Sequence, residues 1–379
     1  MKSQVYDVAV IGAGIVGLAH ALAALKRGKS VVVIDRDARA VGASIRNFGF
    51  ITITGQRRGA TWKRARRSRD VWVSLAEEAG IPIEHRGLLV AGRRPETEAV
   101  LEAFIKTEMG ADCELLSATQ SRARHPEIGG ADFSCALWSP HEVRVESRKA
   151  IPTIAAYLAE KGVTFLWQTA VRSISAPKVE TSRGLVEAET IIVCPGDDLS
   201  TLFPERIAAY GVTRCKLHMM RLADPGFRVP GAIMSDLSLV RYRGYADLPE
   251  SKALRSRLET EQAAHLDNGV HLIVVQSADG SLVVGDSHHY AATPDPFAPD
   301  GVDELVRDEF VHAIGLPAPA VIERWTGTYA SAPEDMFMDA PEPGVRLVMV
   351  TSGTGASTAF AIAEETLADL FSVNTGVHA

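Results

Sequence analysis

Apolar and polar positions change period several times along the chain, and each change predicts an element. Near the N-terminus "YDVAVI" is a short apolar run of strand character. After a glycine-rich turn, "LAHALAALKRG" carries apolar residues at helical spacing, and Lys26, Arg27 and Gly28 supply C-terminal charge and a stop. A second strand, "SVVVID", ends in Asp35. Further on, a helix near Arg148 to Lys161 is followed by strand-like runs in "KGVTFLWQTAVRSI". The stretch "GLVEAETIIVCPGDD" predicts a hairpin-like pair of strands ending at Pro195–Gly196. In "NGVHLIVVQSADGSLVVGDS" two apolar runs flank Asp279–Gly280, a hairpin signal. The far end, "GVRLVMVTSGTGASTAFAIAEETLADLF", reads as a strand, a glycine–threonine loop and an amphipathic helix. There is no internal repeat or low-complexity linker, so the expected domains are interleaved rather than tethered.

The first turn carries chemistry. Gly12, Gly14 and Gly17 stand in G-x-G-x-x-G spacing between the first strand and helix, and Asp35 closes the second strand. In such a unit Gly12 permits the tight turn, Gly14 lets backbone approach a pyrophosphate, and Gly17 lets helix and strand pack closely. The helix N-terminus offers free N–H groups and partial positive charge to phosphates, and Asp35 can accept from ribose hydroxyls. The motif predicts dinucleotide binding without choosing between NAD and FAD.

Composition narrows the class. At 379 residues, 46% apolar and 23% charged, this is an ordinary globular chain of two or three domain-sized units. A net charge of −7 argues against a general nucleic-acid binder. One local field is basic: seven of the thirteen residues from Arg57 to Arg69 are Lys or Arg. It reads as a helix whose charges mostly face water, with steering of an anionic substrate as a further role. Cys113, Cys135, Cys194 and Cys215 show no CxxC spacing and are expected as reduced thiols. The apolar stretch from Val8 to Leu25 is broken by glycines and His20 and lacks the basic lead of a signal peptide, so a cytoplasmic protein without membrane association is expected.

The order of the N-terminal unit, "GLVEAETIIVCPGDD" and the terminal "SGTGAS" block resembles the D-amino-acid oxidase and glycine oxidase family of FAD-dependent oxidoreductases. "GASIRNFGF…GQ" and "RYRGYA" are similar to a subset of it associated with phosphonate breakdown. The resemblance implies an α/β fold: a discontinuous Rossmann-like FAD domain of the glutathione-reductase type at about 1–86, 145–216 and 321–379, and an α+β substrate domain on an antiparallel sheet at 87–144 and 217–320. It implies FAD contacts from Gly12, Gly14, Ile15, Val16 and Gly17, with Asp35 and Arg36 after the second strand. Ser44 would help hold the pyrophosphate, Ala170 and Val171 would meet the adenine through backbone, and Pro195 and Gly196 would lie near the phosphates. Gly353, Thr354, Gly355, Ala356 and Ser357 would approach the flavin, where N–H groups can face negative charge that grows on reduction. The sarcosine oxidase branch tethers its flavin to a cysteine near the C-terminal end; this sequence has none there, so non-covalent FAD is expected.

Amino-acid oxidases of the family commonly carry W-x-G-x-R, whose arginine grips the substrate carboxylate. Here "RWTGTYASAPE" keeps Trp325 and Gly327 but has Tyr329 at the arginine position. A phenol cannot replace a guanidinium as a carboxylate clamp. Either the anion is held elsewhere or it is not an α-carboxylate. A phosphonate wants donors converging from several directions, and Arg46, Asn47, Gln56, Arg241 and His288 are the candidates, with His218, Tyr242 and Tyr329 able to position substrate. His288–His289 has no partner pattern for a metal, and no metal site is assigned.

The implied reaction is oxidative deamination of a small anionic amine, 2-aminoethylphosphonate or its N-methyl form foremost. Hydride passes to flavin N5, water hydrolyses the imine, and oxygen reoxidises the flavin to give peroxide. Such chemistry needs orientation and desolvation rather than a protein nucleophile, which accounts for the lack of a triad or carboxylate pair. A glycine-, sarcosine- or D-amino-acid-type oxidase and a non-catalytic FAD-binding electron-transfer subunit remain alternatives. Oxidase against dehydrogenase, and oligomeric state, stay open.

Overall fold

The computed structural model describes residues 5–128 and 133–372. The strand Val5–Ile11 lies between Val31–Ile34 and Gly184–Val193, parallel to both. Thr164–Leu166 extends this sheet beside Val31–Ile34, and Val345–Ser352 extends it beside Gly184–Val193, again in parallel. All four residues of Val31–Ile34 are buried, as expected for a parallel sheet covered on both faces. The helices Ile15–Leu25 and Gly355–Ser372 pack on one another, and Ala60–Ala79 packs on the second. The first and last helices of the chain therefore meet over the same sheet.

The expected hairpin within residues 184–193 is not formed. Gly184–Val193 is one ten-residue strand, and its antiparallel partner is the preceding strand, Lys178–Thr181. The reason is local: no turn residue interrupts Leu185 to Cys194, whereas Gly184 sits at φ +117°, a conformation glycine alone adopts easily. The hairpin about Gly280 does form, between Ile273–Gln276 and Leu282–Gly285.

These two strands belong to a second, mainly antiparallel sheet. Ile83–Gly92 pairs antiparallel with Cys135–Val145 and parallel with Ala232–Ser235. Beyond Ala232–Ser235 come Ile273–Gln276, Leu282–Gly285, Thr213–Leu222 and Val321–Asp339, each antiparallel to the one before. The nineteen-residue strand Val321–Asp339 is shared: its first part pairs with Thr213–Leu222, and Met336–Asp339 pairs with Val345–Ser352 of the first sheet. Two layers with a common strand place both sheets' loops around one cleft. The architecture is mixed α/β, with the sheet largely antiparallel outside the parallel region. The boundaries 86/87, 144/145 and 216/217 each fall inside a strand. The division reaching 1 and 379 also includes residues 1–4, 129–132 and 373–379, which lie outside the described ones.

The basic stretch is a surface helix most of whose charges are paired. Arg64 pairs with Glu365, Arg67 with Glu364 and Arg69 with Asp70, while Arg57 and Arg58 before the helix pair with Glu334 and Glu108. Arg66 lies over the Trp62 ring. Such exposed pairs contribute ~0–1 kcal/mol each. No described helix is long and apolar enough to cross a membrane.

Candidate active site

A single cleft runs from the N-terminus of Ile15–Leu25, past the loop before Gly355–Ser372, to the antiparallel sheet. At its first end the three glycines fix the turn. Gly12 has φ +104°, and a Cβ on Gly17 would stand 1.8 Å from the Gly12 carbonyl oxygen. Gly14, Ile15, Val16 and Gly17 line the cleft. Asp35 accepts from Ala13 N at 2.7 Å and from Asp37 N at 2.9 Å, so it braces the glycine turn. Ser44 Oγ accepts from Ile15 N at 2.9 Å. Its hydroxyl hydrogen stays available to donate to an oxyanion. Arg36 instead reaches Asp198, at 2.6 Å.

Gly196 and the segment from Gly353 to Ser357 line the same cleft, whereas Gly12 and Pro195 do not. Gly353 has φ +72°, and Trp72 Nε1 anchors the loop by donating to the Ala356 carbonyl at 2.7 Å. Ser357 Oγ accepts from Thr52 N at 2.9 Å, and Thr354 Oγ1 lies 2.8 Å from Ser352 Oγ. The residues expected at the adenine, Ala170 and Val171, lie at the start of the hairpin Val171–Ser175/Lys178–Thr181. Neither residue lines the cleft, and Ala170 N–H and C=O are already matched by Ser182.

At the other end the antiparallel sheet supplies a polar wall. Arg241, Tyr242, His271, Asp286, His288 and Tyr290 line it, with Tyr329 beside them. Arg241 donates to Tyr290 Oη at 2.9 Å. The Tyr329 ring packs on Gly353, and its hydroxyl acid is pushed well above the usual range by burial and then by Cys215. Burial and Asp286 likewise raise Tyr242. Both phenols are therefore neutral donors at neutral pH. Arg46 also lines the cleft. Trp325 Nε1 donates to the Arg46 carbonyl at 3.1 Å, and a Cβ on Gly327 would lie 3.3 Å from that oxygen. The two matched residues of the W-x-G motif thus seat the Arg46 backbone.

One candidate lies off the cleft, and two line it with side-chain amides engaged by neighbouring backbone. His218 lies outside the cleft. Along Thr213–Leu222 alternate residues face opposite sides, so Leu217 lines the cleft while His218 turns toward the helix Asp300–Ile314, with Nδ1 3.5 Å from Asp303. Asn47 lines the cleft, but its amide is spent locally: Nδ2 donates to the Ala43 carbonyl at 2.8 Å, and Oδ1 accepts from Gly49 N at 2.7 Å. Gln56 is buried at the cleft and donates to the Thr52 carbonyl at 3.2 Å. His271, Asp286 and Tyr290 were not singled out from the sequence. They flank one hairpin, and it is the pairing of Ile273–Gln276 with Leu282–Gly285 that brings His271 beside Asp286.

A cleft that joins a glycine-turn helix N-terminus to a second glycine loop at the opposite chain end, then to a polar antiparallel wall, defines an FAD-dependent oxidoreductase. The residues fit that group: the cradle at Gly14 and Gly353 is one a Cβ would begin to fill, with 3.1 Å to Ser44 Oγ and to the Tyr329 ring respectively. The chain belongs to the family described as DAO, FAD dependent oxidoreductase, which it matches over residues 7–370. Its structure is similar to a glycine oxidase from Bacillus cereus ATCC 14579, with 17% identity, 97% of this chain and 96% of that one covered, and a TM-score of 0.78. An L-proline dehydrogenase from P. horikoshii is similar at 19% identity, 98% and 94% coverage and a TM-score of 0.77. So is a dithionite-reduced L-α-glycerophosphate oxidase from Mycoplasma pneumoniae with FAD bound, at 15% identity, 97% and 95% coverage and a TM-score of 0.76. No curated protein matches the sequence.

Proposed function

We propose that this FAD-dependent oxidoreductase oxidises a small anionic amine at the carbon next to nitrogen, with an aminophosphonate such as 2-aminoethylphosphonate or its N-methyl form as substrate. The observation that carries the reading is the exchange at Tyr329. Where the family's amino-acid oxidases place a carboxylate-gripping arginine, this chain has a neutral phenol, and cationic groups reach the cleft from Arg241 and Arg46 instead. Donors at several angles suit three oxyanion atoms better than a flat carboxylate. FAD, when bound, supplies the hydride acceptor and passes the electrons on to oxygen.

The protein's own groups orient and desolvate. Arg241, held by Tyr290, presents its remaining N–H groups to the anion. Tyr242 and Tyr329 add hydroxyl donors without charge. Buried apolar neighbours such as Ile273 and Val348 keep water from the reacting carbon. Non-covalent FAD is part of the reading: Cys194, the cysteine at the cleft, is buried and its thiol is pushed far above the usual range by that burial.

A glycine- or sarcosine-type oxidase is the second reading, because an Arg241 guanidinium can also grip a carboxylate. The fold does not choose, since similar structures act on glycine, L-proline and L-α-glycerophosphate. An aerobic peroxide assay over aminophosphonates and amino acids, repeated with Arg241→Met and Arg46→Ala, tests the proposal. We expect phosphonate turnover above carboxylate turnover, with KM raised ~10–100-fold by the Arg241 change. Preferential turnover of glycine or sarcosine overturns the phosphonate assignment. Anaerobic flavin that no amine bleaches would instead indicate a non-catalytic FAD-binding subunit.

A further inference from the structure

We propose that Asp286 and His288 form the ammonium-binding end of a zwitterion site whose anion-binding end is Arg241. The inference rests on the amine-oxidising function proposed above and names the residues that meet the nitrogen.

Two opposite charges line the same cleft wall without pairing. Arg241 makes its hydrogen bond to Tyr290, and among the described residues no carboxylate forms an ion pair with it. The Asp286 side chain is only 7% exposed. Its Oδ1 lies 2.9 Å from His271 Nε2 but accepts no well-directed hydrogen bond. Its Oδ2 lies 3.7 Å from His288 Nε2. With His271 its one near donor, this buried carboxylate has acceptor capacity left for a donor from the cleft.

His288 sharpens the requirement. Its Nδ1 is 2.9 Å from the Gly269 carbonyl oxygen, which can only accept, so the ring hydrogen sits on Nδ1. Burial, then the charge of Arg241, holds this imidazole well below its usual range. It is neutral, and its Nε2 lone pair faces the Asp286 carboxylate. Burial pushes the Asp286 acid upward, while the Arg241 charge pulls it down. A bare lone pair beside an anionic oxygen is repulsive unless a cationic donor lies between them. An alkylammonium has several N–H groups to divide among these acceptors.

His271, Asp286 and His288 are also close enough together to ligate a metal ion. Charge balance favours the zwitterion. A divalent ion here would add two positive charges beside the Arg241 guanidinium, whereas a zwitterion brings an anion for Arg241 with its ammonium for Asp286. The position also suits chemistry: the Tyr329 ring that touches Gly353 lies 6.4 Å from the His288 ring. Nitrogen held at His288 is one aromatic ring away from the glycine loop.

The test is calorimetric binding to the FAD holoenzyme, using zwitterions with no hydrogen on the carbon next to nitrogen so that no turnover intervenes. The probes are 2-amino-2-methylpropylphosphonate and 2-aminoisobutyrate, each paired with its deaminated analogue, 2-methylpropylphosphonate or isobutyrate. The unaltered protein should prefer at least one zwitterion over its analogue by ~10–100-fold, the range of a charge-assisted hydrogen bond. Asp286→Asn should abolish the preference while binding the deaminated anion equally or more tightly. Equal binding of both partners by the unaltered protein, no binding of either, or a preference that survives Asp286→Asn overturns the proposal. The first comparison needs no variant, so it stands even if Asp286→Asn does not fold. A stoichiometric divalent ion that chelators remove and Asp286→Asn never acquires reassigns the cluster to metal, and also overturns it. Failure of the functional reading shows separately, as flavin that no oxidisable amine bleaches in the unaltered holoenzyme.

Discussion

Tyr329 and Gly353 are in contact across the cleft: a Cβ added to Gly353 would lie 3.1 Å from Cζ of the Tyr329 phenol. The strand Val321–Asp339 carries the ring, and the loop leading to the last helix carries the glycine. Gly353→Ala therefore meets two obstacles, the ring and a φ of +72°. We expect a loss of about 1–2 kcal/mol in stability. FAD affinity should also fall as the ring or loop moves. Thermal unfolding with FAD retention on gel filtration checks this, and unaltered retention would show that the loop does not touch the cofactor.

Gly17 and Gly42 make a sharper pair. A Cβ on Gly17 would stand 1.8 Å from the Gly12 carbonyl oxygen and 3.3 Å from Val10 Cγ1, so backbone would have to move apart. A Cβ on Gly42 meets nothing within 4 Å, and its φ of −85° is ordinary. Gly17→Ala should cost about 3 kcal/mol or more and give protein without yellow colour. Gly42→Ala should leave the 450 nm absorbance per chain unchanged. Equal flavin content in the two variants would remove the close helix–strand approach as a requirement.

The cofactor end was legible in the sequence because its signals are local. Gly12, Gly14, Gly17 and Asp35 sit in one strand–turn–helix–strand unit whose geometry follows from neighbouring residues. The substrate wall was not, because sheet register assembles it. His271 and Asp286 lie at opposite ends of a hairpin, and only the pairing of Ile273 with Gly285 brings them together. His288 showed no metal pattern from its immediate neighbours for the same reason. His218 was misplaced despite an available signal: strand alternation over "CKLHM" forbids Leu217 and His218 from facing the same side. Ala170 was assigned by family pattern alone, and the hairpin with Ser182 uses its backbone groups.

The placement of His218 makes its own prediction. Its ring is buried against Asp303, which also accepts from Arg324 Nε at 2.7 Å. His218→Gln should lower stability by about 1–3 kcal/mol through the disturbed buried polar contact. KM and kcat for the best amine should not change, because the side chain lies behind the sheet. A large change in either with unaltered folding would return His218 to the reacting centre.

The final prediction concerns pH and lies away from the cleft. Glu309 is fully buried and accepts from Gln262 Nε2 at 2.6 Å and from Arg93 at 3.3 Å. Nearby Asp236 is also fully buried and is satisfied mainly by Arg94, at 2.7 Å. Burial first, and the Asp236 charge second, push the Glu309 acid up to about 7 from an ordinary 4.5. Between these values the folded state binds more protons than the unfolded chain, so this group's contribution to stability is present below about pH 4.5 and is lost as pH rises toward 7. At ~1.4 kcal/mol for each pH unit of displacement, the loss amounts to about 3 kcal/mol. Glu309→Gln keeps the shape and removes the titration. Relative to the unaltered protein it should be stabilised at pH 8 by up to about 3 kcal/mol, and by less than about 1 kcal/mol at pH 5. Urea unfolding at the two pH values measures the difference directly. A variant less stable than the unaltered protein at pH 8 would mean that Arg93 and Gln262 hold Glu309 as a carboxylate, with its acid well below 7.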